Sequence, residues 1–155
     1  TRGTYTWDNA DVVGMAPIVK MHTLGHTFVP PGIHAGGLRY HGMSPQVSAL
    51  VDNGFIEAQA VDQVDTFEGG VMFGKTEGIL PAPESNHAVR VAINEALACK
   101  ESGEEKTILF NLSGHGNFDM AAYGAYAEGT LERYEYPANE IEEAMEHLPE
   151  VNFPS

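Results

Sequence analysis

Ser113 is the residue best placed to do chemistry. It follows the apolar run 107–112 and opens Ser-Gly-His-Gly within KTILFNLSGHGNFDM, residues 106–120. An apolar run that stops at glycines predicts a buried parallel strand ending in a bent loop. Ser113 then stands at the strand tip. Gly114 and Gly116 let the backbone approach whatever sits there. The plainer reading of the same residues is a strand and a turn. Glu77 is a second candidate: a carboxylate at the junction between a helical pattern and the proline-stiffened EGILPAPES stretch, 77–85. It reads either as a solvated helix end or as a group held beside a ligand ring. Glu84 has the same ambiguity, and capping the next helix is the favoured role.

Seven histidines raise the question of a metal. His22 and His26 are four apart, the spacing that aims two imidazoles at one ion on a helix. Their segment contains Thr23, Gly25 and Thr27 and runs into Pro30-Pro31, so it is a poor helix. His34, His41 and His115 lie in glycine-rich loops. No second spaced cluster is present, so zinc is not expected. Cys99 is the only cysteine, which excludes an intrachain disulfide and points to a reducing, cytoplasmic compartment. Its apolar helical surroundings predict a packed thiol rather than a nucleophile.

The elements that must position these residues follow from punctuation and period. Ile18–His22 reads as a short strand, and 27–43 as a long glycine- and proline-rich loop. Ser44-Pro45 opens a helix that buries Val47, Leu50 and Val51 and stops at Asn53-Gly54. Residues 55–61 read as a strand. A helix capped by Asp62 or Asp65 runs to about Thr76, weakened by Gly69, Gly70 and Gly74. Another spans about 86–101, with Val89, Ile93, Ala96 and Leu97 on one face. Shorter helices are expected over 119–127 and 139–147. Strands separated by helices imply a parallel sheet, so the expected class is α/β: a small parallel sheet flanked by helices. The 155 residues divide into an irregular part (1–43), an α/β core (44–127) and an acidic tail (128–155), read as one partial domain.

Composition excludes some functions. Asp plus Glu number 22 against 8 Lys plus Arg, a net charge of −14. Nucleic acid and anionic membrane both call for a basic surface, so neither is an expected partner. No run is long and apolar enough to cross a bilayer, and no signal-peptide pattern opens the sequence.

Three blocks carry a resemblance: HAGGLRYHG (34–42), KTEGILPAPESNHA (75–88) and FNLSGHGNFDM (110–120). In this order and spacing they resemble the C-terminal part of the tryptophan synthase β chain, and HTLGH…PPGIHAGGLRYHG resembles its divergent second group. The resemblance covers roughly residues 4–123. It implies one lobe of a fold-type-II pyridoxal-phosphate lyase that joins indole to a serine-derived unit, working as a dimer.

By the same resemblance Ser113 matches the serine that hydrogen-bonds the pyridine nitrogen, with Gly114 beside it. A neutral hydroxyl there keeps the nitrogen unprotonated, which favours β-replacement over transamination. Glu77 matches the carboxylate beside the cofactor ring. Tyr40 and Gly42 match positions whose backbone carbonyls help hold a monovalent cation. Arg39 stands where the better-known β chains have an aspartate that helps close the site.

The family's cofactor-anchoring lysine follows a histidine, and none of Lys20, Lys75, Lys100 or Lys106 does. The glycine-rich phosphate loop and the catalytic glutamate, N-terminal in the family, are also absent here. The expectation is therefore a C-terminal portion with no catalytic residue of its own. It would not bind pyridoxal phosphate alone, and its partners would be the N-terminal portion and a second copy. The alternative is a non-catalytic folded remnant that self-associates or binds a partner.

Overall fold

The computed structural model describes residues 3–151. In chain order the elements are β1 (Thr4–Asn9), β2 (Ile18–Thr23), a 3-10 turn (Gly36–Leu38), α1 (Pro45–Asp52), α2 (Gln63–Glu77), α3 (Pro83–Ser102), α4 (Met120–Ala127) and α5 (Ala138–Met145). They fall into two compact units. One comprises residues 3–32, 39–60 and 135–151, the other 33–38 and 61–134.

In the first unit β1 and β2 form an antiparallel hairpin, with Thr4 opposite Thr23 and Asn9 opposite Ile18. The turn between them is held by Asp11, whose carboxylate accepts the Met15 N–H (3.0 Å) and the Ala16 N–H (3.3 Å). Here a side chain stands in for backbone acceptors across the loop. α1 packs on β2 through Ser48, whose buried hydroxyl accepts the His22 N–H at 3.0 Å. The apolar face expected of α1 is not the buried one, and Leu50 remains 43% exposed. Ser44 occupies the N-cap position, but its hydroxyl bonds the Gln46 side chain at 3.0 Å rather than the helix backbone. Residues 55–60, expected as a strand, are exposed and without regular structure. Gly25, at φ +94°, lies against the main chain of Ala144 in α5.

The second unit is helical. Asp62 caps α2 by accepting the Val64 N–H (2.9 Å), and Gly78 ends it in the left-handed conformation that glycine favours. α3 starts earlier than the apolar pattern suggests, because Pro83 takes its first position. α2 lies close on α3 because Gly69 and Gly70 carry no side chains. A Cβ on Gly70 would stand 2.2 Å from Asn86 Oδ1. Phe67, fully buried, packs edge-on against Tyr123 at 4.9 Å between ring centroids. Burial of that ring is worth roughly 1.5–3 kcal/mol. Ala122, Val71, Leu80, Tyr126 and Leu131 complete the core.

The expected parallel sheet is a correction. The sheet is two-stranded and antiparallel, and it lies at the start of the chain rather than around residues 107–112. That apolar run has no strand pairing among the described residues, and Leu109 is 95% exposed. A strand needs neighbours to satisfy its backbone, and these residues supply none. Phe110 alone is tied inward, edge-on to Phe73 at 5.8 Å.

Candidate functional site

In the second unit, two loops that are distant in sequence lie side by side. The Gly116 N–H donates to the Leu80 carbonyl (2.7 Å), and the Ala82 N–H donates to the Gly114 carbonyl (2.9 Å). Pro81 and His115 pair between them as an antiparallel bridge. The glycines make this approach possible. A Cβ on Gly116 would come within 2.5 Å of the Pro81 carbonyl, and one on Gly114 within 3.1 Å of Ala82 Cβ. Their small size thus serves the neighbouring loop, a use that a strand-and-turn pattern does not reveal.

Polar groups lock the pair from beneath. Tyr123, 6% exposed, donates its hydroxyl proton to the Pro81 carbonyl at 2.6 Å and accepts from the buried Asn86 amide at 2.9 Å. Burial holds the Tyr123 phenol above its usual pKa, with the Asn86 hydrogen bond working against that rise. Next to Asn86 on α3, His87 is held below its ordinary pKa, mainly by burial, with the Glu84 charge opposing. Ser85, at 1% exposure, accepts the Gly114 N–H at 3.1 Å and lies 3.0 Å from the Ser113 hydroxyl.

Ser113 is therefore fixed by a buried neighbour while remaining exposed itself. Gly114, half-buried, spends its N–H on Ser85. Glu77 is the last residue of α2, exposed, three residues before Leu80. Glu84 does not cap its own helix through its side chain. It accepts the Gly37 N–H at 2.9 Å and so secures the 3-10 turn of the HAGGLRYHG block. Ser85, Asn86 and Tyr123 were not among the residues singled out by type. The available signal was that Ser85 and Asn86 stand in the quoted PAPESNHA motif where the helical pattern calls for apolar residues.

Tyr40 and Gly42 lie in the first unit. The chain between them is pinned to the end of β2: the Leu24 N–H donates to the His41 carbonyl (2.8 Å) and the Met43 N–H to the His22 carbonyl (2.9 Å). His41 donates through Nε2 to the Asn9 carbonyl at 2.9 Å, and the Tyr40 hydroxyl bonds the Ala10 carbonyl. A Cβ at Gly42 would meet Met21 Sδ at 2.6 Å. His22 and His26 do not converge. The His22 ring lies beside Tyr5, whereas His26 Nδ1 meets Asp8 at 2.6 Å. Among the described residues no three His, Cys, Asp or Glu side chains group as metal ligands, and no helix is long and apolar enough to cross a membrane. An open cleft of about 790 Å³ is lined by Ala96, Cys99, Lys100 and 103–108, which include none of the expected site residues.

No family model matches the chain. Curated relatives do. The Methanosarcina acetivorans protein named tryptophan synthase beta chain 2 is 60% identical over 131 residues, 84% of this chain and 30% of the relative. The protein of the same name from Aquifex aeolicus is also 60% identical over 131 residues, with the same coverage. The Pyrococcus horikoshii tryptophan synthase beta chain is 55% identical over 135 residues, 87% of this chain and 29% of the relative. Identity at this level shows relatedness by descent between this chain and those proteins over the residues matched. Over the matched residues it is homologous to the tryptophan synthase β chain, and it spans about 30% of the length of the relatives it matches.

The residues present fit one edge of a pyridine ring. An exposed, neutral hydroxyl at Ser113 is backed by a buried one at Ser85, 3.0 Å away.

Proposed function

We propose that this chain supplies the ring-binding part of a tryptophan synthase β-type enzyme, which makes tryptophan from serine and indole. The cofactor, when bound, supplies the electron sink for β-replacement. Ser113 would offer its hydroxyl to the ring nitrogen, Gly114 would hold the loop at that edge, and Glu77 would supply a carboxylate to the ring. The backbone carbonyls of Tyr40 and Gly42, on a segment pinned to β2, contribute to a monovalent-cation site. The observation that carries this reading is the lock between 80–82 and 114–116, which presents Ser113 outward from a buried support.

The anchoring lysine, the phosphate loop and the catalytic glutamate belong to the N-terminal portion of such a β chain, which is the proposed partner. The chain alone is then inactive. To test this, the chain is mixed with pyridoxal phosphate and reduced with borohydride, with and without an N-terminal β-chain portion. Activity and covalent labelling should appear only in the mixture. Stoichiometric labelling of Lys20 or Lys75 in the chain alone would overturn the assignment.

A second reading draws on the exposed apolar run. Leu109 at 95% exposure and Phe118 at 92% favour self-association or a protein partner without catalysis. Mixing with the N-terminal portion separates the two: self-association that persists with neither labelling nor activity supports the second reading, and restored activity overturns it.

A further inference from the structure

We infer that Ser85 is a positioning residue that sets the direction of the Ser113 proton and makes Ser113 a hydrogen-bond donor to its ligand. The inference rests on the reading of Ser113 as the contact to a ring nitrogen, and concerns a residue that this reading leaves unused.

The direction follows from counting donors. A backbone N–H can only donate, so the Gly114 N–H bond at 3.1 Å makes the Ser85 oxygen an acceptor there. Ser85 still has its own proton to place, and at 1% exposure it has no water to receive it. Among the described residues the acceptor found for it is Ser113 Oγ, at 3.0 Å. The reverse arrangement would leave the Ser85 proton buried and unpaired, the costly outcome for a polar group. The chain of donation therefore runs from the Gly114 N–H to Ser85 and from Ser85 to Ser113. Ser113 is exposed, so its proton is directed outward. A hydroxyl polarised in this way suits an uncharged acceptor, and an unprotonated pyridine nitrogen is one. A protonated ring would instead donate to the second lone pair of Ser113 Oγ and turn the Ser113 proton away from the ring, leaving the proton that Ser85 has freed unused.

The test uses the complete β chain containing this sequence, loaded with pyridoxal phosphate labelled with 15N in the ring, and reads the nitrogen resonance. The wild type should show an unprotonated, hydrogen-bonded nitrogen. Ser85→Ala should move the resonance toward the unbonded, unprotonated position, and Ser85→Thr, which keeps the hydroxyl, should restore it. A role in packing alone would leave the resonance where it is. If Ser85→Ala does not fold, Ser85→Cys, a weaker donor of similar size, should give a partial shift in the same direction. A protonated nitrogen in the wild type, an unchanged resonance in Ser85→Ala or Ser85→Cys, or a Ser85→Thr that behaves like Ala would each overturn the inference and leave the cofactor reading standing. A wild-type chain that binds no labelled cofactor would overturn both.

Discussion

The Asp8 carboxylate is fully buried and holds His26 Nδ1 through one oxygen at 2.6 Å and the Thr23 hydroxyl through the other at 2.6 Å. One side chain of β1 thereby fixes both sides of the turn that follows β2. The Thr23 oxygen in turn accepts the Gly25 N–H at 3.0 Å, so the path from Asp8 to Gly25 is continuous.

Removing Asp8 should be among the most damaging single changes in the first unit. Asp8→Ala leaves the His26 ring nitrogen without its acceptor and the buried Thr23 hydroxyl with only the His41 carbonyl, at 3.4 Å. A loss of about 1–3 kcal/mol in urea unfolding is expected, the scale for one buried polar group left unsatisfied. A loss below about 0.5 kcal/mol would show that the carboxylate is not holding the turn.

Two glycines in helices should respond in opposite directions. Gly70→Ala puts a methyl 2.2 Å from Asn86 Oδ1 and forces α2 from α3. Overpacking of this kind costs about 1–3 kcal/mol. Gly124, in α4, has nothing within 4 Å of its Cβ position. Gly124→Ala should stabilise by about 0.5–1 kcal/mol through helix propensity alone. Thermal unfolding of the two variants side by side checks the contrast.

Tyr123→Phe removes the hydroxyl that joins Asn86 to Pro81 and should cost about 1–3 kcal/mol. It should also change the alkaline limb of the stability profile. Burial raises the phenol pKa in the folded state above the ordinary value of 10.0. The unfolded chain then ionises first, so stability is intact below pH 10 and is lost as pH rises through the folded value. The Phe variant should lack this component, as measured by urea midpoints across that range.

His87 works at the opposite limb. Its folded pKa lies below the ordinary 6.5, with burial as the main cause. Above that value the imidazole is neutral in both states. As pH falls through it, the unfolded chain binds the proton first and stability declines until the folded value is passed. His87→Gln should flatten the difference between pH 7 and mildly acidic solution. An identical slope in variant and wild type would remove His87 from the account.

The helices were legible because their ends are written locally. Asp62 and Gly103 stand at the caps that their types favour, whereas Pro83, read as part of the connection before the helix, takes the first position of α3. The run 107–112 was read as a buried strand because apolar residues in a row are indifferent to whether a neighbour exists. Pattern reports the preference for burial, and only the rest of a sheet can satisfy it. Tertiary choice also overrode local signal in α1, where Ser48 rather than Leu50 faces β2. At the site, Ser113 stood out as the polar end of an apolar run. Ser85 did not, because a serine in the first turn of a helix already has an ordinary explanation as part of the helix start.

The contact between Gly25 and α5 bears on how the C-terminal segment can vary. A Cβ at position 25 would lie 2.6 Å from the Ala144 carbonyl oxygen and 2.7 Å from its carbon, both main-chain atoms. No side-chain exchange at 144 can make room for it. The fit is between backbones, so it is indifferent to most spellings of the acidic segment and sensitive to its length. Recombination between related genes could replace the exposed residues of α5, with the buried Ala144 kept small. An insertion or deletion that shifts the helix along its axis would bring different main-chain atoms over Gly25, and the seam would no longer close.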